Sequence, residues 1–103
     1  MNIKSISHIN NNDLFNIGSA CADKHPIGMK NCNKKAIIIE REDCSNDVIT
    51  YGDLSKLTDI LAYYLIDVGI KKGDRIIIQL PNNMLFPISF LGIMKLGAIA
   101  VPV

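Results

Sequence analysis

The stretch that decides the fold is residues 73–103, which read GDRIIIQLPNN, then MLFPISFLGIMKL, then GAIAVPV. The first of these parts predicts a turn at Gly73 followed by a strand over residues 75–80. Its three consecutive isoleucines lack the alternation of a strand with one solvated face, and so they indicate a strand buried on both faces. Pro81 then ends the strand, because proline cannot donate to a ladder of hydrogen bonds.

A helix and a second strand follow from the rest of the same stretch. An asparagine after Pro81 can cap a helix that begins near residues 84–86, with Pro87 tolerated in the first turn. The helix is apolar around most of its circumference, which predicts that it is buried. Gly97 ends it, and residues 98–103 return as a parallel strand. The result is one βαβ unit, and such a unit needs further elements to cover its sheet.

The N-terminal half predicts a helix and a hairpin. Asp13 is a good N-cap for a helix through about residue 24, whose apolar face would carry Leu14, Ile17 and Cys21. Residues 36–40 and 48–50 are rich in β-branched side chains and are separated by a short polar segment. These two runs predict an antiparallel hairpin.

A second helix is predicted from Thr50 to about Val68. Thr50 and Asp53 have the spacing of a capping box. Gly69 suits the position after the helix, where a left-handed backbone favours glycine, and Ile70 can fold back onto the last turn. The apolar residues at three- and four-residue spacing form one predicted stripe. They are Leu54, Leu57, Leu61, Tyr64, Leu65 and Val68.

The composition predicts one domain and gives no reason to expect a highly charged binding partner. The chain has 103 residues, 49% of them hydrophobic, and a net charge of +1. We therefore expect a polar tail over residues 1–12 and a single α/β domain over residues 13–103. The low net charge gives no basis for binding nucleic acid or an anionic membrane. Lys30, Lys34 and Lys35 cluster in a polar segment that is typical of a solvated loop.

Cysteine usage and hydropathy bear on the compartment. Cys21, Cys32 and Cys44 form neither a C-x-x-C pair nor a zinc pattern, which favours a reduced, cytoplasmic protein. Residues 84–103 are about long enough to cross a bilayer. Lys95 lies within that segment together with two prolines, and a charge in mid-span is costly. We therefore predict no membrane span, with a small membrane protein as the minor alternative.

A search for chemistry predicts no catalytic, cofactor-binding or metal-binding residue. A nucleotide site would be expected at the carboxyl end of the strand over residues 75–80. The turn after it, LPNNM, has neither the glycines of a phosphate cradle nor a P-loop lysine. His8 lies in the polar tail, and His25 lies at a helix end that favours a cation. The remaining candidates crowd the hairpin loop and read as a solvated turn. They are Glu42, Asp43 and Asp47.

Three segments together nevertheless resemble one family. Residues 49–54, ITYGDL, resemble a motif near the start of adenylate-forming (AMP-binding) enzymes. Residues 73–76 and 80–82 resemble its GDRV and LPN motifs, and residues 95–103 resemble its K-x-G-A-x-x-V-P motif. Residues 15–25 are similar to the first helix of acetyl- and medium-chain acyl-CoA synthetases. That similarity favours acid–thiol ligases over peptide-synthetase adenylation domains.

The resemblance implies a two-step reaction in which the intact enzyme uses ATP, magnesium and coenzyme A on a small-molecule carboxylate. An acyl-adenylate and pyrophosphate form first, and coenzyme A then takes the acyl group. The family's phosphate loop and its catalytic lysine come later than the motifs found here. We therefore expect scaffold residues only, in an inactive N-terminal fragment with an incomplete, association-prone sheet. The alternative is an interaction module that pairs with a separately encoded remainder.

Overall fold

The computed structural model describes residues 15–103, which form three helices and two strand pairs. The elements in chain order are α1 (Ile17–Ala22), β1 (Lys35–Glu40), β2 (Asn46–Thr50), α2 (Tyr51–Asp67), β3 (Arg75–Ile78), α3 (Leu85–Lys95) and β4 (Ile99–Pro102). Strands β1 and β2 pair antiparallel, with Ile38 opposite Val48. Strands β3 and β4 pair parallel, with Ile76 opposite Ala100. The predicted α/β class, hairpin and parallel βαβ unit are confirmed.

Both long helices end as their sequences predict. Gly69 has φ 102° after α2, and Gly97 has φ 91° after α3. After α2, the Gly69 N–H donates to the Ile66 carbonyl and the Ile70 N–H to the Leu65 carbonyl, at 3.0 and 2.9 Å. Together these two bonds form a Schellman motif. The N–H groups of Gly97 and Ala98 make the equivalent pair of bonds at the end of α3.

The helix beginnings agree with the sequence in two cases out of three. The Thr50 hydroxyl accepts from the Asp53 N–H at 3.2 Å, as predicted for α2. The Asn83 side chain accepts from the Leu85 N–H at 2.9 Å at the start of α3. Helix α1 is shorter than predicted, because Asn16 caps it and it begins at Ile17. The predicted cap Asp13 lies outside the described residues, as does Leu14.

The buried faces of α1 and α2 differ from those predicted. On α1, Ile17 and Cys21 are exposed, and the buried residues are Gly18, Ser19 and Ala22. On α2, three of the predicted stripe residues are exposed, namely Leu57, Tyr64 and Val68. The side of α2 that faces α3 carries small residues instead, namely Ser55, Thr58 and Ala62.

Close approach of the helices explains both differences. A Cβ atom added at Gly18 would lie 2.6 Å from the Lys95 backbone nitrogen. A Cβ atom at Gly92 would lie 2.9 Å from Leu61 Cδ2 and 3.3 Å from the Thr58 carbonyl oxygen. Small side chains allow the helices to pack at this distance. Hydrophobic periodicity therefore identified the helices, and Leu54, Leu61 and Leu65 of the predicted stripe do pack inward, but it missed the small residues at the closest contacts.

The βαβ unit is covered on one side only by the described residues. Ile78 is 3% exposed and packs with Ile93 and Ala98 in one apolar cluster, but Ile77 is 69% exposed. The prediction that this strand is buried on both faces is therefore wrong for this chain. Helix α3 is likewise only partly buried, with Leu85 exposed.

Candidate functional site

The carboxyl end of β3 is where an α/β fold would place a ligand. Strands β3 and β4 end side by side, and the Val103 N–H donates to the Ile78 carbonyl at 3.1 Å. The turn that follows β3 contains no glycine, and its Asn83 side chain is used to hold the start of α3. Its backbone therefore lacks the open approach that a phosphate cradle requires.

An apolar groove lies beside this turn. It has a volume of about 400 Å³ between α2, β3 and α3. Its lining residues are Leu61, Leu65, Ile76, Ile77, Ile78, Gln79, Leu80, Ser89 and Ile93. Ser89 and Gln79 are the polar members, and no charged side chain lines it. The groove is suited to apolar contact, and none of its lining residues is a base that could activate Ser89 as a nucleophile.

The histidine and acidic candidates occupy separate places. The His25 ring lies edge-to-face against the Tyr51 ring, with centroids 5.0 Å apart. Arg41 binds Asp47 through two hydrogen bonds of 2.9 and 2.5 Å, and Glu42 is exposed. His8 lies outside the described residues. Within residues 15–103, no group of three or more His, Cys, Asp or Glu residues is placed to hold a metal ion.

Asp43 shapes the hairpin turn. One of its carboxylate oxygens accepts from the Ser45 hydroxyl at 2.5 Å and from the Ser45 N–H at 2.9 Å. These two bonds, the hydroxyl first, lower the pKa of Asp43 below its ordinary value of 3.8, because they favour the ionised form. The neighbouring Cys44 has φ 68°, a left-handed conformation that fits a tight turn. Asp43 therefore acts as a turn residue.

None of the lysine and cysteine candidates lines the apolar groove. Lys30, Lys34 and Lys35 are exposed as predicted, but Lys35 is the first residue of β1 and does not belong to the loop. Cys21, Cys32 and Cys44 are free thiols. No helix among the described residues is long and apolar enough to cross a membrane.

The most developed polar cluster surrounds Lys95, which the sequence placed in a family motif and within an apolar segment, without predicting any partner for its charge. The Lys95 side chain is 0% exposed, and its ammonium lies 2.5 Å from an Asp23 oxygen and 2.6 Å from an Asp59 oxygen. It also donates to the Thr58 hydroxyl at 3.2 Å. Two carboxylates and a hydroxyl thus match its three N–H donors, which is what a buried cation requires.

Further hydrogen bonds join all three helices around Lys95. Asp23 accepts from the Ser55 hydroxyl at 2.6 Å and from the Ser19 hydroxyl at 2.9 Å. The Asn16 side-chain amide donates to the Lys95 carbonyl at 2.8 Å. We call this cluster the Lys95 junction; its members are Asn16, Ser19, Asp23, Ser55, Thr58, Asp59 and Lys95. No buried side-chain N or O atom in the described part of the chain lacks a partner.

Residues of the motifs that resemble the family stabilise turns and the ends of strands and helices in this fold. Asp74 accepts from the Lys71 N–H at 2.7 Å through its side chain and from the Ile99 N–H at 2.7 Å through its carbonyl. It thereby fixes the turn before β3 and the start of β4. The Gly52 N–H donates to the Cys32 carbonyl at 2.8 Å, and an added Cβ would lie 3.2 Å from that oxygen.

Comparison with known proteins agrees with these motifs. The model of the AMP-binding enzyme family matches residues 28–103. The chain belongs to the AMP-binding enzyme family. Acetyl-coenzyme A synthetase of Emericella nidulans is 39% identical over 86 residues, which are 82% of this chain and 12% of that protein. A long-chain-fatty-acid–CoA ligase of Mycobacterium tuberculosis is 43% identical over 60 residues, 57% of this chain and 12% of that protein.

Solved structures of similar proteins share this fold. A fatty acyl-adenylate ligase from L. pneumophila, in complex with acyl adenylate and pyrophosphate, matches with a TM-score of 0.66 and 30% identity. That match covers 69% of this chain and 12% of the other. The Klebsiella oxytoca NpsA N-terminal subdomain matches with a TM-score of 0.64 and 28% identity, over 84% of this chain and 20% of the other. The chain thus spans about an eighth of the length of the curated relatives that it matches.

Proposed function

We propose that this chain forms the N-terminal part of the large domain of an AMP-forming acid–thiol ligase. The observation that carries the proposal is the family match over residues 28–103, with an acetyl-coenzyme A synthetase among the relatives. In the proposed reaction, a carboxylate and ATP form an acyl-adenylate and pyrophosphate, and coenzyme A then takes the acyl group. The domain part comprises residues 13–103, behind a polar tail over residues 1–12.

The proposed role of these residues is to support the fold, with no part in the chemistry. ATP, magnesium and coenzyme A are implied for the intact enzyme, but the described side chains do not fit contacts to them. Asp23 and Asp59 are engaged by Lys95, and Asp47 is engaged by Arg41. The turn after β3 lacks a phosphate cradle. We therefore assign no catalytic, cofactor-binding or metal-binding residue within this chain.

The substrate class in this proposal is a small-molecule carboxylate, and the compartment is the reducing cytoplasm. The three free cysteines support a reducing environment. Relatives named for acetate and for long-chain fatty acids both match this segment. The segment is thus compatible with either chain length, and the substrate pocket of the proposed enzyme lies outside it.

The first experiment measures pyrophosphate release by the purified chain. It is mixed with ATP, Mg²⁺, coenzyme A and either acetate or octanoate. We expect release equal to that of a protein-free sample, because the chain has no group suited to the chemistry. Turnover that depends on the carboxylate would overturn the scaffold role.

A chimera tests the family role directly. Residues 15–103 replace the matching segment of the Emericella nidulans acetyl-coenzyme A synthetase. We expect acetyl-CoA formation by the chimera, because the segment supplies the same elements. The control chimera carries Gly18→Val, which would force α1 away from α3. Loss of acetyl-CoA formation is expected only in this control. A chimera without the substitution that melts cooperatively but forms no acetyl-CoA would contradict the proposal.

A second candidate function is an interaction module that pairs with a separately encoded remainder of such an enzyme. The observation that favours it is the exposure of large apolar side chains at one end of the βαβ unit. Ile77, Leu80 and Val103 are 69%, 38% and 76% exposed. The test co-expresses this chain with the Emericella enzyme lacking the matching segment. Co-purification with restored activity would favour pairing, and an inactive, unbound chain would exclude it.

A further inference from the structure

Helix α1 is attached to the rest of the fold through very little apolar surface. Its buried residues are Gly18, Ser19 and Ala22, while Phe15 and Ile17 are 53% and 52% exposed. The helix has six residues. Isolated helices shorter than about 12 residues are marginal in water, so α1 depends on its contacts with the remainder of the chain.

Lys95 on α3 makes the polar contacts at both ends of α1. Asn16, the N-cap of α1, donates to the Lys95 carbonyl at 2.8 Å, and Asp23, its C-cap, accepts from the Lys95 ammonium at 2.5 Å. Between the two caps, Gly18 packs directly against the Lys95 backbone. Lys95 thus contacts both ends and the middle of α1. Other contacts of α1 are the packing of Ala22 with Ile49 and Leu54 and the hydrogen bond from the Ser55 hydroxyl to Asp23.

The ammonium of Lys95 has a second carboxylate that does not belong to α1. Asp59 lies on α2, 2.6 Å from the ammonium, and its side chain is 44% exposed. If α1 moved away, Lys95 would keep Asp59 as its counter-ion and gain water on the side that α1 now covers. A detached α1 therefore leaves no isolated buried charge, which is the term that normally makes breaking a buried ion pair so costly.

We propose that α1 is a detachable segment and that the Asp23–Lys95 ion pair is the latch that holds it on α2 and α3. In the closed state, Lys95 is sealed between Asp23 and Asp59. In the open state, the α2–α3 pair and both strand pairs persist, and α1 is released together with its caps. This inference concerns the chain itself and is independent of the proposed enzymatic function.

The two aspartates provide a matched pair of variants. Asp23→Asn and Asp59→Asn make the same isosteric change around the same ammonium, but only Asp23 belongs to α1. We measure amide hydrogen exchange of the full chain, comparing Ala20 to Asp23 of α1 with the amides of α2, α3 and β3. Loss of a hydrogen bond to a charged group shifts an equilibrium by about ten- to a hundredfold.

We expect Asp23→Asn to speed exchange in α1 by about ten- to a hundredfold while α2, α3 and β3 keep their protection. Asp59→Asn should leave α1 within about threefold of the parent chain, because Lys95 keeps Asp23. Equal acceleration of α1 by both variants would overturn the latch, since only the charge around Lys95 would then matter. Faster exchange throughout the fold in Asp23→Asn would also overturn it, because α1 would then not open separately.

Discussion

The Lys95 junction and the outer face of β3 differ in whether the described residues supply their side chains with partners. At the junction, the donors of a fully buried ammonium meet acceptors supplied by α1 and α2. Ile77 on β3 is 69% exposed beside the apolar groove, and Leu80, just after the end of β3, is 38% exposed. The junction is thus an interface between elements of this chain, whereas the outer face of β3 has the character of an interface with something else.

The difference also separates two kinds of stabilisation. The junction combines small side chains, close helix approach and a fully hydrogen-bonded charge, all of which depend on exact placement. The β3 face presents apolar area without a defined partner, and apolar attraction is not directional. Substitutions at the junction should therefore change stability, and substitutions on the β3 face should change association.

The largest effect is expected from Lys95→Met. The substitution leaves Asp23 and Asp59 without their cation, but their side chains are 24% and 44% exposed and can be hydrated. We expect the free energy of unfolding to fall by about 3 kcal/mol, the lower end of the range for breaking a buried pair. Urea unfolding followed by circular dichroism measures it. The control Arg41→Met breaks an exposed pair and should cost less than about 1 kcal/mol. Equal losses in the two variants would mean that burial gives the Lys95 ion pairs no advantage over the exposed Arg41–Asp47 pair.

Gly18→Ala should have the next largest effect. The new Cβ would lie 2.6 Å from the Lys95 nitrogen and 2.8 Å from the Leu91 carbonyl oxygen, both of them backbone atoms. We expect a loss of about 2 kcal/mol from overpacking. In Gly92→Ala, the nearest atom is Cδ2 of the flexible Leu61 side chain, so the loss should stay below about 1 kcal/mol. The urea midpoints of both variants test this order. A larger loss for Gly92→Ala than for Gly18→Ala would contradict this order, because the contact of Gly18 with the α3 backbone would then be less tight than the contact of Gly92 with Leu61.

Ile77→Lys should change association and leave stability almost unaltered. A substitution at an exposed position shifts the unfolding free energy by at most about 0.5 kcal/mol. The added charge interrupts the apolar face of β3, so light scattering at high concentration should show less self-association. Ile38→Lys is the matched control, because Ile38 is 55% exposed on β1, away from the groove. The same decrease in both variants would mean that the β3 face has no special role.

The smallest effect concerns Asp43, which lies in neither region. The pKa of the Asp43 carboxyl should lie below 3.8. Ser45→Ala should raise that pKa, because the hydroxyl donor is lost while the backbone N–H of residue 45 remains. A depressed pKa means that the turn gains stability above pH 3.8 and loses it as the pH falls through the lowered value. NMR titration of the carboxyl carbon measures both values. An unchanged pKa in Ser45→Ala would show that the hydroxyl bond does not form.

Local sequence signals predicted much of this molecule. Thr50, Gly69 and Gly97 marked helix ends, and the hydrogen bonds found there follow the predicted capping patterns. The parallel pairing of β3 with β4 followed from strand, helix and strand in succession. The motif residues predicted the AMP-binding enzyme family correctly. Each of these signals depends on the backbone conformation of a few neighbouring residues.

The sequence failed where distant residues meet. Lys95 read as a lone charge in an apolar run, and only its contacts with α1 and α2 reveal the junction. One available signal was the set of small residues Gly18, Ser55 and Gly92, which are unusual for apolar contact faces but suit close helix packing. The predicted apolar stripe of α2 could not include Thr58, whose full burial depends on α3.

The sequence by itself determined the order of elements, their ends and the family, because caps, turns and hydrophobic runs act over a few residues. The tertiary structure alone decided which faces meet. A buried charge needs acceptors placed within about 3 Å, and Asp23, Thr58 and Asp59 reach the Lys95 ammonium only once three helices have packed. The exposure of Ile77 was likewise settled by packing, because its neighbours in sequence are as apolar as it is.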